Sequence, residues 1–591
     1  MVVAQQIDRK MGKCTYENIL KSVGDLGVYQ MALFSFCACL AFCSVETIYM
    51  NFVGYKMDHW CEVPELSNFS FNVQKQVAIP YESADSNTTY DTCRVFVQDY
   101  SSLDPKELLN WKRNESAATT DCNSWVFDRS VYSQNIVNEF ELVCGKSWLV
   151  DFVSTISLSG FLFGSICGGS ISDRFGRVKA LGVGLVLKTI SNFASAFAPN
   201  YIVFIIARFF VGWSAQQCYV VGFVLAIENV GPSHRSWIGI LYSIFFSLGF
   251  AFVPLFAFAC RNWTDLQIVM AAPTIIFLLT VWFLPESPRW LISRERLTEA
   301  EAGLRQIAAV NKRQFPEGFK VSGIQIDTEG NGNKKTALDI LKTPKIRRYS
   351  FIQFFIWFSV NLIYYALSLN AGSLVGDVFL NTSLLGLVEI PACVLCFIAM
   401  GIKLTGRKYT VGLANIIGGV ACLICVPIII ADEESIAVTV LSLVGKAGAT
   451  AAFNGIYVYT SEIYPTEVRN VGLGTCSMVA RLSGIAAPYI GGLFGDIWSP
   501  LPSLIFGIFG TISGLLTFLL PETLGKCLPE TIAELESGSL EETSKSKKNR
   551  SECGECVAVD SISDYELCPS KNGSQGLEAK GIDNLTYIEK F

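Results

Sequence analysis

Among the ionisable residues inside apolar stretches are Arg481 in "TCSMVARLSGIAAPYI", Glu389 in "LLGLVEIPACV", Glu46 in "FCSVETIYM", Lys446 in "SLVGKAGAT", and Arg208 in the run 200–225. A charge at the centre of an apolar spanning helix costs about 2.5–3.5 kcal/mol by insertion scales. Each of these groups must therefore face a water-filled cavity or an opposite charge. A guanidinium fork suits a carboxylate. A carboxylate beside an aromatic face suits an organic ammonium, whose cation–π attraction reaches about 2 kcal/mol when desolvated. Aromatic partners are present: Trp357 and Tyr364 are seven residues apart and share a helix face, Tyr365 follows, and Gln216 and Tyr219 lie about one turn apart. Arg481 is expected to hold an anionic group of a bound molecule or to balance Glu389.

Other chemistries are poorly supplied. Only two histidines occur, His59 and His234, so metal and imidazole catalysis lack side chains, and no metal site or cofactor is expected. Cys553-x-x-Cys556 with Cys568 has no histidine or second pair nearby and reads as unstructured thiols. No phosphate-binding G-x-x-x-x-G-K-[ST] loop, nucleic-acid motif, channel filter or catalytic constellation is visible, so the chain does not read as an enzyme.

The elements that position these residues are spanning helices. The chain is 51% hydrophobic and 17% charged, and its apolar residues fall in runs long enough to cross a bilayer. Twelve spans are expected: 29–53, 147–172, 179–198, 200–225, 236–260, 266–285, 348–372, 377–402, 409–430, 436–460, 470–495 and 502–521. This makes an all-α polytopic membrane protein surrounded by lipid. The resulting organisation is a terminus 1–28, a first half 29–285, a linker 286–347, a second half 348–521 and a polar, disordered tail 522–591. Arg481, ten residues from Val471, sits about 15 Å along its helix, near the midplane.

Segment 54–146 is a long polar loop with sequons at Asn68, Asn87 and Asn114 and with cysteines Cys61, Cys93, Cys122 and Cys144. These features predict a glycosylated extracellular loop with two disulfides, in any of three pairings. Two further sequons, at Asn262 and Asn381, fall on expected outside loops. Arg174, Arg177, Lys179, Arg235, Arg289, Arg294, Arg296, Lys403, Arg407, Lys408 and Arg469 punctuate the opposite side. That places both termini in the cytoplasm of a plasma-membrane protein.

The two halves repeat. Glu228 stands seven residues before Arg235, and Glu462 seven before Arg469; "GSISDRFGRVK" has a degenerate copy in "KLTGRK", and "LPESPRW" one in "LPETLGK". Gly169-x3-Asp173-Arg174-x-Gly176-Arg177 resembles the loop 2–3 signature of the major facilitator superfamily. "FDRSVYSQNIVNEFELVC", "LPESPRWL" and "SEIYPTEVRNVGLG" resemble the organic cation, anion and carnitine transporters of that superfamily. Val178 departs from the usual third basic residue, and the second copy lacks the aspartate. The resemblance covers about Tyr16 to Glu530. It implies two six-helix halves and secondary transport of a small organic ion by alternating access.

The acidic and basic residues at the helix ends, including Arg174, Arg177, Glu228, Arg235, Glu462 and Arg469, are expected to latch the two halves on the inside. In the resembled family an aspartate at the Arg481 position goes with cations and an arginine with anions or carnitine. Together with Glu389, a cation-type feature, this implies an organic cation or a zwitterion such as a carnitine-like compound, with an organic anion as the alternative. Glu46, Lys446, Gln216, Tyr219, Trp357, Tyr364 and Tyr365 complete the expected site. Whether sodium or protons are coupled is open.

Overall fold

The computed structural model describes residues 16–537 except 45, 47, 68, 85, 86, 99, 101–117, 316–335, 433, 434 and 527. Asn68, Asn114 and the tail cysteines therefore lie outside the described residues. Twelve helices follow the expected runs. They are α1 (Val28–Phe42), α2 (Trp148–Phe175), α3 (Arg177–Ala196), α4 (Tyr201–Glu228), α5 (Arg235–Ala259) and α6 (Trp263–Thr280), then α7 (Pro344–Leu369), α8 (Val378–Gly401), α9 (Gly406–Ala431), α10 (Ile436–Ile463), α11 (Arg469–Gly491) and α12 (Leu501–Thr517).

Among the described residues, eight of these are long and apolar enough to cross a bilayer on length and composition alone. The other four are short or polar for visible reasons. α1 stops at Phe42 and its path resumes only at Met50–Val53. α3 and α11 carry Lys188 and Arg481, and α12 has 17 residues.

Local chemistry sets the helix starts. Asn200 accepts the N–H of Val203 at 3.0 Å to open α4, and Asp377 accepts those of Phe379 and Leu380 at 2.8 and 2.9 Å to open α8. Close packing sets the helix neighbours. A Cβ at Gly160 would lie 2.1 Å from Phe209 O, and one at Gly212 would lie 2.1 Å from Ser157 O, so only glycine lets α2 and α4 approach this far. α9 packs likewise on α10 and α12 within the second half. The halves meet along α2 with α11 and α5 with α8.

The loop between α1 and α2 carries three short antiparallel pairs: His59–Cys61 with Trp125–Phe127, Tyr81–Ala84 with Asn87–Tyr90, and Arg94–Phe96 with Thr119–Asp121. Of the three possible cysteine pairings, the structure has Cys61 with Cys122 and Cys93 with Cys144.

Two expectations are corrected here. Asn381 is not on a loop: it is 4% exposed within α8, where its amide donates to Leu374 O and Val375 O. Nor does order end at 522. Helix Ile532–Ser537 buries Leu535, and Glu536 accepts the N–H groups of Lys345 and Ile346 at the start of α7. At the equivalent place in the first half, Asn311 accepts Tyr29 N at 3.0 Å and donates to Val23 O and Gly24 O before α1.

Candidate functional site

Three groups of charge are built into the fold. The first lies at the end of the bundle that carries the termini. Arg177, opening α3, donates to Glu228 at 2.7 Å and to Asp173 at 2.6 Å. Glu286 accepts the backbone N–H groups of Arg177, Val178 and Ser287. Burial holds the Glu286 carboxyl above its ordinary range, against the pull of those N–H groups. The second half repeats the wiring. Arg407 pairs with Glu462 at 3.1 Å, and Glu522 accepts the N–H groups of Arg407 and Lys408, both at 3.0 Å.

Both turns need glycine. Gly176 and Gly406 have φ of +108° and +57°, and a Cβ there would strike Glu286 Oε2 at 2.3 Å and Glu522 Oε2 at 2.5 Å.

The partners differ from those read in the sequence. Arg235 reaches Glu17 at 3.4 Å and Arg469 donates to Thr466, so neither meets the glutamate seven residues before it. Arg174 lies over the ring of Phe175. Each of the pairs Arg177–Glu228 and Arg407–Glu462 joins helices of one half. They clamp α3 to α4 and α9 to α10, and the expected latch between halves is replaced by a brace within each. The physical reason is reach: the cation at the start of α3 or α9 lies beside the carboxylate that ends the next helix.

The second group is buried in the first half. Helix α1 ends at Phe42 and a short helix begins only at Met50, so carbonyls at the break need donors that lipid cannot supply. Lys188 donates to Cys43 O at 2.7 Å and lies 3.4 Å from Glu46 Oε1; Arg208 donates to Glu46 O at 3.0 Å. Asn192 donates to Glu46 Oε1 at 3.3 Å, and the Arg208 guanidinium covers the Tyr49 ring at 5.0 Å. Glu46, expected at the binding site, is 1% exposed and belongs to this structural cluster.

The third group lies between the halves. Glu389 of α8 pairs with Lys446 of α10 at 2.8 Å and accepts a hydrogen bond from Ser247 of α5 at 2.7 Å. The Lys446 ammonium also donates to Ser368 Oγ at 2.5 Å and sits 3.3 Å from the centroid of the Tyr364 ring, whose plane stacks on Phe453. Arg481 has different company. Its Nη1 donates to the Tyr365 hydroxyl at 3.4 Å, with Tyr457 and Tyr219 close by. Asn361 of α7 fixes α11 in this rotation by donating to Ala480 O and Ser483 Oγ. Among the described residues no carboxylate lies within ion-pair distance of Arg481.

The expected site residues thus separate. Tyr219, Tyr365 and Arg481 are brought together, with Tyr219 from the first half and the other two from the second. Trp357 stands one layer back: it is 1% exposed, donates to Thr460 Oγ1 at 2.9 Å and meets Tyr457 edge-on at 4.6 Å. Tyr364 has one face taken by Lys446, and Gln216 is buried against Gly164 of α2. Sequence reading passed over Tyr457, Phe453 and Lys188. Tyr457 and Phe453 stand in the same helix as Lys446, three and two turns beyond it, a signal that helical spacing could have supplied.

Comparisons with known proteins agree with this architecture. The profile of the Sugar (and other) transporter family matches residues 104–534. Rabbit (Oryctolagus cuniculus) solute carrier family 22 member 1 is 33% identical over 536 residues, 88% of this chain and 95% of its own. Human organic cation/carnitine transporter 2 is 33% identical over 537 residues, 88% and 94% of the two chains. A Drosophila melanogaster organic cation transporter protein is 33% identical over 532 residues, 88% and 94%. Among solved structures, the inward-open xylose transporter of E. coli superposes with a TM-score of 0.51 at 18% identity, covering 68% of this chain and 93% of its own. Bound to 6-bromo-6-deoxy-D-glucose, that fold superposes at 0.50 over 86% and 99%. With two six-helix halves, a charged site between them and relatives matched over nearly their whole length, the chain belongs to the organic cation, anion and carnitine carriers of the major facilitator superfamily and is a secondary transporter of organic ions.

Proposed function

We propose that the chain carries a small zwitterion of the carnitine type, a quaternary ammonium joined to a carboxylate, across the plasma membrane. One observation supports this most. Of the three charges placed between the halves, Glu389 and Lys446 neutralise each other, whereas Arg481 has a tyrosine for its partner. The cavity therefore presents a net positive site, and a carboxylate is the group that complements it. The ammonium end then needs no carboxylate of its own, because Tyr219, Tyr457 and Phe453 offer aromatic faces.

The rival substrate is an organic anion without the ammonium, which the same Arg481 serves. In this reading Arg177, Glu228, Arg407 and Glu462 keep each half rigid while the halves rock about the site. The loop carrying Asn68, Asn87 and Asn114 faces outward, and both termini face the cytoplasm.

The deciding experiment is uptake of labelled carnitine, tetraethylammonium and an aromatic carboxylate into proteoliposomes holding the full chain. Saturable carnitine uptake, stimulated by carnitine on the far side, is expected. Transport of tetraethylammonium with no uptake of either carboxylate would overturn the reading.

A further inference from the structure

A carrier must seal its site on one side at a time, and at the end of the bundle bearing the long loop the two halves touch on either side of a cleft of about 430 Å³ lined by Asn51, Lys56, Asp151, Asn370 and Asp496. Part of that contact is polar. Asn51 donates to Ser368 O at 2.7 Å, Thr155 donates to Ile485 O at 3.2 Å, and Lys56 pairs with Asp496 at 2.8 Å. The last pair is well exposed, with side chains 68% and 54% accessible, and such pairs hold little.

The opposite flank is different in kind. There Phe379, from the first turn of α8, is 6% exposed although it sits at the end of its helix. Its ring stacks on Phe52 at 5.6 Å and 8°, meets Phe258 edge-on at 5.6 Å, and lies 5.7 Å from Tyr132. The guanidinium of Arg261 covers the same ring at 4.9 Å.

Every one of these partners belongs to the other half of the molecule, and each comes from a different piece of it. Phe52 ends the path of α1, Tyr132 belongs to the long loop, Phe258 ends α5, and Arg261 joins α5 to α6. The socket is itself tied together: Arg261 Nη1 donates to Val131 O at 2.8 Å, and Ser133 N and Oγ both donate to Arg261 O at 3.0 Å. The knob is equally fixed, because Asp377 caps the turn that carries it. Below it, a Cβ at Gly386 would lie 2.6 Å from Ala251 N, so α5 and α8 stay in close contact beneath the ring.

We propose that Phe379 is the knob of the outer gate and that the long loop, through Tyr132, forms one wall of its socket. The site opens outward only when this ring leaves the pocket, so the loop takes part in the transport cycle. The proposal rests on the reading that the loop end faces outside. It does not depend on which ion is carried.

The test uses the full chain with Cys260→Ser as background and Phe246→Cys as a reporter. Phe246 lies twelve residues below Phe258 on α5 and packs on Tyr219. Alkylation by an impermeant, charged maleimide added outside, which forms a thioether, reads how often the gate is open, with no substrate needed. Phe379→Ala and Tyr132→Ala should each raise the alkylation rate tenfold or more, and Phe379→Leu should raise it less. Unchanged rates in both alanine variants at normal surface level would overturn the proposal.

If the alanine variants fail to reach the surface, Tyr132→Cys with Phe379→Cys tests the same contact. An added oxidant should cross-link the pair and stop reporter alkylation, and a reductant should restore it. A cross-linked protein that still opens to the reagent would refute the gate. Failure of carnitine uptake with this alkylation pattern intact would count against the substrate reading alone.

Discussion

Whether Arg481 serves a ligand or merely balances Glu389 can be decided by mutational coupling. The Lys446 and Glu389 side chains are 0% and 2% exposed and 2.8 Å apart. At an effective dielectric constant near 20, two unit charges at that distance attract by about 6 kcal/mol. Desolvation offsets part of this. Removing one partner of such a pair typically costs about 3–5 kcal/mol, because the other charge is left buried alone. Lys446→Met and Glu389→Gln should each lower stability by that order, measured by reversible unfolding in mixed micelles. The double variant strands neither charge, so its loss should fall short of the sum by about 2 kcal/mol or more. Ser247, which donates to Glu389 at 2.7 Å, can still bond to the glutamine. Arg481→Ala combined with Glu389→Gln is the discriminating arm. With no ion pair between them, their effects should add within about 0.5 kcal/mol. Rescue of Arg481→Ala by Glu389→Gln, or strict additivity for Lys446 and Glu389, would refute the assignment of charges on which the zwitterion reading stands.

Arg481→Lys keeps the charge but loses the planar fork, so carnitine affinity should fall roughly tenfold; Arg481→Asp should move preference toward tetraethylammonium, both read by uptake competition. Glu228→Gln and Glu462→Gln each remove the carboxylate that clamps two helices of one half, although Arg177 keeps Asp173, and either should cut transport severalfold while surface labelling stays near wild type. Glycosidase should shift the electrophoretic mobility of the full chain, and Asn381→Gln should leave that shift unchanged because Asn381 is buried in α8.

The twelve spans were legible because a helix that crosses lipid must be apolar over its whole length, and runs of that length stand out. Apart from the first span, expected to 53 and observed to end at Phe42, their observed ends fall within about five residues of the expected ones, as with 236–260 against Arg235–Ala259. The break in α1 was not legible. The run 29–53 is mostly apolar apart from Glu46 and a few small or amide side chains, and only the donors on α3 and α4 reveal that carbonyls near Glu46 have been released. Lys188, inside the run 179–198, was not singled out by sequence, and only its partners Cys43 O and Glu46 show its place. The helix at Ile532–Ser537 was hidden in a Ser- and Glu-rich stretch, because its stability comes from one buried leucine and one helix cap and not from a periodic face.

Repetition explains which parts could be read and which could not. The braces at the termini end obey the internal duplication: Gly176, Arg177, Glu228 and Glu286 have counterparts in Gly406, Arg407, Glu462 and Glu522. A residue that appears twice in register is visible in one sequence without any structure. The site departs from that rule. α10, which supplies Lys446, is the counterpart of α4, where Arg208 serves the break after α1 instead of the cavity. α11 supplies Arg481, and its counterpart α5 supplies Ser247 as a donor to Glu389. Two halves that must rock symmetrically need matching braces, whereas a substrate with unlike ends needs unlike walls. Symmetry therefore marked the paired charges at the helix ends, and the cost of burying an unpaired charge marked Arg481 as the candidate for the site.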